Sequence, residues 1–244
     1  MNNPTYRQTF AITDNLVDRY GRMKPSAMLY CIQEVSGTHA AALGVGYEIL
    51  AEKNLFWVIL RTRVQVTRLP RSGETVTLET WPMPTSRVAY PRAAVAYDTQ
   101  GNELFRSISV WVLMDSQSRN MVLPVKSGVE VIGSVQGSEL PVPTGLPAKL
   151  LPRSRSRSVC FTDLDRNGHM NNTRYMDWLW DLLPSEFHAG HEVKDFTVCY
   201  LSEARENQSL QLHWDFPEAD CMQVDITREN CDREDRIFAA KLLF

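Results

Sequence analysis

No stretch of this 244-residue sequence approaches the roughly 20 consecutive apolar residues that a membrane-spanning helix needs, which argues against a span. Positive charge is not in excess: 26 Lys and Arg stand against 29 Asp and Glu, a formal net charge of −3. No global basic field therefore draws the chain to nucleic acid or an anionic membrane. The opening MNNPTYRQTF lacks the positive-then-apolar order of a secretory leader, so a soluble, cytoplasmic protein is expected. The five cysteines, Cys31, Cys160, Cys199, Cys221 and Cys231, are odd in number and include no Cys-x-x-Cys pair. That disfavours both a disulfide framework and a zinc site, and reduced, mostly packed thiols are expected. His188 and His191 flank Gly190 without a cysteine or carboxylate set at metal spacing and are expected in a loop. A Gly-x-Gly-x-x-Gly turn, a phosphate loop and a Gly-x-Ser-x-Gly elbow are all missing. Nucleotide cofactors and a serine triad are thus unsupported, and no metal or organic cofactor is expected.

What is present is one skeleton written twice. Asp18 to Met23 reads DRYGRM and Asp165 to Met170 reads DRNGHM, two instances of Asp-Arg-x-Gly-x-Met. Each leads into helical periodicity. After Lys24, the residues Met28, Ile32, Val35, His39 and Leu43 recur at steps of three and four, with Pro25 suited to the first turn and Gly44 to the stop. After Asn172, the set Tyr175, Trp178, Leu179, Leu182 and Leu183 has the same spacing and ends at Pro184. The sequence predicts strands only after each helix.

In the first half these strands are LFWVILRTRVQVTRL, ETVTLETWPM, SRVAYPRAAVAYD and ELFRSISVWVLMD, divided by turn signals at Ser72-Gly73 and Gln100-Gly101-Asn102. In the second they are VKDFTVCYL, SLQLHWDF, MQVDITRE and RIFAAKLLF. An initial strand precedes each turn, YRQTFAI and SRSRSVCF. Between the halves, VEVIGSVQGSELPVPTGLPAK is rich in Gly, Pro and Ser and is expected to wander over the surface. Short turns without intervening helices favour antiparallel pairing, and a lone apolar helix must be covered by the inner face of its sheet. The predicted fold is α+β: two tandem hot-dog units, each a long central helix wrapped by an antiparallel sheet. Boundaries are expected at 1–128 and 153–244, with a linker over 129–152. An ordinary two-layer α+β protein with accidental similar strings is the competing reading.

A helix N-terminus carries unpaired amides and partial positive charge, so it can hold an oxygen that becomes negative during reaction. The second turn adds a carboxylate (Asp165), an amide (Asn167) and an imidazole (His169), with Asn171 and Asn172 as caps; the first offers Asp18, Tyr20, Arg22, Lys24 and Pro25. Turn-forming and capping preferences alone account for Asp, Asn and Gly here. The first copy, however, makes the same turn without Asn167 or His169, so the turn does not require them.

The string DLDRNGHMNNTRYMDWLWD, followed by CYLSEARENQSL, resembles the acyl-acyl carrier protein thioesterases of bacteria and plastids. That family carries Asp-x-Asn-x-His-x-Asn-Asn-x-x-Tyr at its second central helix and Tyr-x-x-Glu on the next strand. Thr80-Trp81, Arg92, Gly101 and Trp111 extend the likeness into the first half. The resemblance implies a reacting centre of Asp165, Asn167, His169 and Glu203. It implies hydrolysis of fatty acyl-acyl carrier protein to free fatty acid and holo-carrier, with the carrier and its phosphopantetheine-linked acyl chain as partner. It also implies that the N-terminal unit holds the acyl tail, for which Met28, Ile32 and Val35 are candidates, although such side chains are more often plain core. Where the family often shows Glu followed by Cys, this chain has Ala204, so the expected chemistry is carboxylate-assisted attack by water.

Arg153, Arg155 and Arg157 fall on one side of an extended segment and could meet an acidic carrier; a charged, aggregation-resistant edge strand explains them equally. His39 is expected to be packed and hydrogen-bonded, and Cys199 to be a buried strand thiol. An acyl-CoA thioesterase and a non-catalytic acyl-binding module are the alternatives, and a homodimer is compatible with any of them.

Overall fold

The computed structural model describes residues 4–134, 140–228 and 235–244. Contacts divide the chain into two compact units, Met1–Pro143 and Thr144–Phe244. Cys231 lies outside the described residues.

The first unit opens with β1 (Tyr6–Ala11), the helices α1 (Pro25–Ala42) and α2 (Tyr47–Glu52), then β2 (Leu55–Val66), β3 (Thr75–Pro82), β4 (Tyr90–Tyr97) and β5 (Glu103–Asp115). A short β6 (Met121–Val122) pairs with β5 and leads into the single turn α3 (Pro124–Ser127). All pairings are antiparallel, in the spatial order β1-β3-β4-β5-β2. Helix α1 starts at Pro25, whose missing N–H costs nothing in a first turn, and stops before Gly44, which supplies positive φ. Its buried stripe, including Met28, Leu29, Ile32 and Val35, packs on β1 and β3. Burying such a side chain stabilises by roughly 1.5–3 kcal/mol, so this stripe accounts for much of the unit's core.

The second unit repeats the plan with β7 (Arg153–Ser158), α4 (Arg174–Trp180), α5 (Ser185–Gly190), β8 (Asp195–Tyr200), β9 (Ser209–Glu218), β10 (Cys221–Arg228) and β11 (Arg236–Leu243). Its order is β7-β9-β10-β11-β8, again antiparallel throughout. Helix α4 docks through Trp178, under the Arg157 guanidinium of β7, and through Tyr175, stacked on Phe238 of β11 at 4.7 Å. The same strand order around a central helix, made twice, is the hot-dog fold in tandem.

Three details depart from expectation. The second central helix is not long: α4 has seven residues, against 18 in α1. Asn171 folds its side chain back onto Thr173 and delays the start, while Pro184 prevents extension past the Asp181 cap. Short helices α2 and α5 follow the central ones, and α5 contains His188 where a loop is expected. The Gly/Pro/Ser-rich connector is held down on both sides. Val129 and Val131 join the cluster of Leu50, Leu55, Tyr90 and Leu113, while Lys149 N–H donates to Asp225 at 3.1 Å. No described helix is long and apolar enough to cross a membrane.

Candidate active site

The two Asp-Arg-x-Gly-x-Met turns have the same main-chain design. In the second, Asp165 N–H donates to His169 O at 2.8 Å and Gly168 N–H to Asp165 O at 3.0 Å. The Asp165 carboxylate accepts the N–H groups of Asn167 (2.8 Å) and His169 (3.2 Å). In the first, Asp18 N–H donates to Arg22 O at 2.8 Å, and the Asp18 carboxylate accepts the N–H groups of Tyr20 (2.8 Å) and Arg22 (3.0 Å). Gly21 and Gly168 have φ of 72° and 76°, the left-handed region in which a side chain is strained, which is why glycine recurs there. Each turn then docks on the segment before the unit's third strand: Met23 N–H donates to Pro70 O and Met170 N–H to Ala204 O, both at 2.8 Å.

That docking decides what the side chains meet. His169 bridges to Arg205, and its imidazole Nε2 reaches Glu203 Oε2 at 3.2 Å. At the corresponding places in the first unit stand Arg22, which turns back to pair with Asp18 at 2.8 Å, and the buried, apolar Leu69. One turn therefore spends its second polar side chain on its own carboxylate, while the other couples it to a glutamate from a separate segment. The His169 and Glu203 side chains keep 20% and 41% of their exposure, so the pair is reachable from solvent. Asn167 is exposed, and its side-chain amide lies 3.4 Å from Asp165 Oδ2.

Residues beyond the proposed polar set hold this arrangement. Arg228, at the end of β10, donates from Nη2 to Glu203 O at 2.9 Å and to Ser202 Oγ at 3.1 Å, and its Nη1 pairs with Asp235. Tyr200 donates its hydroxyl to Asn172 O at 3.1 Å, tying β8 to the approach of α4. Burial pushes the Tyr200 and Tyr175 hydroxyls well above the usual phenol range; at Tyr175 the nearby Arg228 lowers it and the Glu203 charge raises it. Both phenols are therefore neutral at physiological pH.

Three of the amides at the helix start are already engaged. Thr173 N–H is taken by Asn171 Oδ1 at 2.9 Å, Arg174 N–H by Asn171 O at 2.9 Å, and Asn171 N–H by Asp163 O at 2.8 Å. These three donors are engaged by the turn that feeds the helix and are not offered to an oxyanion. Ala204 is completely buried, and Cys199 is buried on β8.

Met28, Ile32 and Val35 are fully packed into the core. The first unit does contain a pocket of about 60 Å³, but it opens beside Ser36, Gly37 and Ala40 of α1, with Trp57, Tyr90 and Trp111 as walls. Along α1, the pocket borders the small side chains and not Met28, Ile32 or Val35. His39 is 2% exposed, stacked on Tyr6 and hydrogen-bonded through Nδ1 to Arg92. On β7, Arg157 pairs with Asp181 at 2.8 Å, Arg155 donates to Asp181 O, and Arg153 lies over the Phe216 ring.

Comparison with known proteins agrees with this plan. The acyl-ACP thioesterase N-terminal domain matches residues 3–129 and the acyl-ACP thioesterase C-terminal domain matches residues 152–239. Among curated proteins, a palmitoyl-acyl carrier protein thioesterase of Gossypium hirsutum is 28% identical over 222 residues, covering 84% of this chain and 54% of that one. A dodecanoyl-[acyl-carrier-protein] hydrolase of Cinnamomum camphora is 27% identical over 228 residues, covering 84% and 58%. The chain thus spans about half the length of the curated relatives it matches. An acyl-ACP thioesterase from Bacteroides thetaiotaomicron superposes with a TM-score of 0.85 at 22% identity, covering 99% of this chain and 98% of that one. The 12:0-ACP thioesterase from Umbellularia californica gives 0.83 at 23%, covering 99% and 97%; at such identities the likeness is one of fold. With both family domains matched in order across most of its length, the chain belongs to the acyl-ACP thioesterase family.

Proposed function

We propose that this chain hydrolyses the thioester of a fatty acyl-acyl carrier protein, releasing free fatty acid and holo-carrier. The observation that carries the proposal is the His169–Glu203 contact of 3.2 Å, made by a turn whose counterpart in the first unit lacks both side chains. Glu203 takes a proton from water as the water oxygen attacks the thioester carbonyl carbon. His169 holds the Glu203 carboxylate in position, and the exposed amide of Asn167 donates to the carbonyl oxygen as it becomes negative. Collapse of the tetrahedral intermediate breaks the C–S bond, and the proton held by Glu203 returns to the leaving thiolate. Asp165 acts through the turn, fixing the directions in which Asn167 and His169 project.

Ala204 leaves no thiol beside Glu203, which supports water rather than a cysteine as the nucleophile. A positioned general base contributes a factor of roughly 10² to 10⁴, and an oxyanion donor about 2.7–4 kcal/mol. In this reading the first unit holds the acyl tail, and Arg153, Arg155 and Arg157 contribute positive charge to carrier docking, a salt-sensitive effect. Thiol release from palmitoyl-carrier protein, followed with Ellman's reagent, tests the assignment. Wild type turns over while Glu203→Gln and His169→Ala lose most of kcat; normal turnover by both variants overturns it. Comparing kcat/KM for palmitoyl-carrier protein and palmitoyl-CoA separates the carrier from the coenzyme.

A further inference from the structure

The segment that carries Glu203 belongs to no strand: β8 ends at Tyr200 and β9 begins at Ser209. It leaves β8 through two consecutive N–H groups, Leu201 and Ser202, that share Ile237 O at 2.9 and 3.1 Å. The first unit makes the same exit, with the N–H groups of Thr67 and Arg68 sharing Leu104 O at 2.9 and 3.0 Å. At the far end, Val159 N–H donates to Gln208 O as Ile12 N–H does to Glu74 O. The two segments are therefore equal in length, and Ser202 stands in the place of Arg68 as Glu203 does in that of Leu69.

The hairpin beside each segment matches as well. Thr77 pairs with Tyr97 in the first unit and Gln211 with Thr227 in the second, so Arg228 occupies the place of Asp98. Asp98 N–H donates to Asn102 O at 2.9 Å and Arg228 N–H to Asp235 O at 3.3 Å, which puts Asp235 in the place of Asn102. In the first unit the Asn102 amide donates to Asp98 Oδ2 at 2.9 Å, and Arg68 Nη2 lies 3.9 Å from that oxygen. The carbonyl of Leu69 has only a long contact, 3.4 Å, from its own neighbour Arg68, whose Nη1 is held by Glu74 at 2.9 Å. In the second unit the charges are permuted. Asp235 takes Arg228 Nη1, which leaves Nη2 to donate to Ser202 Oγ at 3.1 Å and to Glu203 O at 2.9 Å. The bridge between hairpin and segment thus ends on the main chain of Glu203, gripped from another strand and not from within the segment.

We propose that Arg228, oriented by Asp235, is a positioning residue: it ties the peptide of Glu203 to β10 and so keeps the carboxylate within reach of His169 and of the attacking water. The Glu203 side chain is 41% exposed, so packing does not hold it, and its direction depends on the main chain beneath. A misplacement of about 1 Å at a reacting group costs on the order of 10²-fold in rate. Closing the hairpin does not require this permutation, since the first unit closes without it. The inference rests on the reading of Glu203 as the base in thioester hydrolysis.

Thiol release from palmitoyl-carrier protein, expressed per folded molecule, tests it. Arg228→Met is expected to lower kcat about 10- to 100-fold with KM changed less than about threefold, because the contact is made to a carbonyl of the protein and not to substrate. Arg228→Lys recovers part of the loss, since an ammonium lacks the rigid fork that serves Asp235 and Glu203 together. The decisive variant carries the first unit's set into the second, with Ser202→Arg, Arg228→Asp and Asp235→Asn combined. Its urea midpoint should lie at or above that of Arg228→Met, because the fold already uses such a bridge, while its kcat stays as low. Wild-type kcat in the triple variant means that the bridge is only structural and overturns the inference, as does a rise in KM at unchanged kcat in Arg228→Met. Turnover lost in Glu203→Gln but kept in Arg228→Met overturns this inference alone. No turnover by wild type, or full turnover by Glu203→Gln, overturns the reading of Glu203 and this inference with it.

Discussion

The turns at Asp18–Met23 and Asp165–Met170 share a backbone almost bond for bond yet do opposite things with the side chains they carry. In both, the aspartate takes two main-chain N–H groups, a glycine occupies the left-handed position, and methionine N–H docks on the segment before the third strand. The shared part is therefore a folding device. The difference lies in where one side chain goes: Arg22 closes back on Asp18, and His169 reaches out to Glu203. A side-chain pair within one turn stabilises that turn, whereas a pair joining two segments at a solvent-reachable position is available for chemistry.

The largest expected consequence is kinetic and confined to the second turn. Glu203→Gln should reduce kcat for acyl-carrier protein by roughly 10² to 10⁴-fold, as loss of a positioned base does, with an unchanged urea midpoint. His169→Met should fall in the same range and cost less than about 1 kcal/mol of stability, because a pair this exposed is screened by solvent. The mirror substitution, Arg22→Met, should do the reverse. Its pair with Asp18 is almost buried, at 7% and 17% side-chain exposure, so breaking it should cost roughly 2–3 kcal/mol. The lower end of the range for such pairs applies because Asp18 keeps its two N–H donors. Urea unfolding measures the loss, and kcat per folded molecule should hold. If Arg22→Met were as inactive as His169→Met while remaining folded, the division of labour between the turns would be wrong.

Most of this frame was legible in the sequence because it rests on periodicity. The strand ELFRSISVWVLMD, read from alternation and flanking turn residues, is β5 residue for residue, and α1 begins at the expected proline. Helices α2 and α5 escaped notice because six residues carry less than two turns of periodic signal. Helix α4 is shorter than its apolar spacing suggests, since Leu182 and Leu183 continue the buried stripe after the helix has ended. Part of the candidate site was legible by subtracting one turn from the other, and Glu203 only through the resemblance carried by CYLSEARENQSL. That subtraction isolates Asn167 and His169 and leaves Asp165 as scaffold. Arg228 and the Arg92–His39 contact join residues far apart in sequence, which no local pattern encodes. The acyl-tail candidates Met28, Ile32 and Val35 are core residues, and the first unit's pocket lies beside Ser36, Gly37 and Ala40 of the same helix.

A smaller effect is expected at alkaline pH. Burial, and secondarily Glu34, push the Cys31 thiol on α1 up to about 12. Tyr90 and Tyr97 in the first unit, and Tyr175 and Tyr200 in the second, are also raised, mainly by burial. In each case the folded pKa exceeds the unfolded one, so the contribution is complete below the ordinary value and is lost as pH climbs through the folded value. Stability should therefore hold up to about pH 9, the ordinary thiol range, and decline beyond it. Cys31 contributes to the first step of that decline. Cys31→Ala should remove about 1.4 kcal/mol per pH unit of slope between pH 9 and 12, leaving the tyrosines to act from about pH 10 upward. Urea midpoints measured across that range, in wild type and variant, check the sign. A wild-type midpoint that rises over this interval would contradict it.

The smallest expected effect concerns the position after the glutamate, where Ala204 and Pro70 occupy matching places and each accepts a methionine N–H of its turn through its carbonyl. The Ala204 side chain is wholly buried, and its main chain is held by Met170 N–H. A thiol placed there would point into packed atoms rather than toward a substrate carbonyl. Burial also raises a thiol's pKa and favours its protonated form. Ala204→Cys should consequently change kcat less than twofold and cost about 1 kcal/mol through mild overpacking. Its activity should stay insensitive to iodoacetamide under conditions that alkylate the exposed Cys160. A large gain in rate, abolished by iodoacetamide in Ala204→Cys but not in wild type, would mean that a nucleophile at this position reaches the substrate. The roles given to Glu203 and water would then have to be exchanged for covalent catalysis.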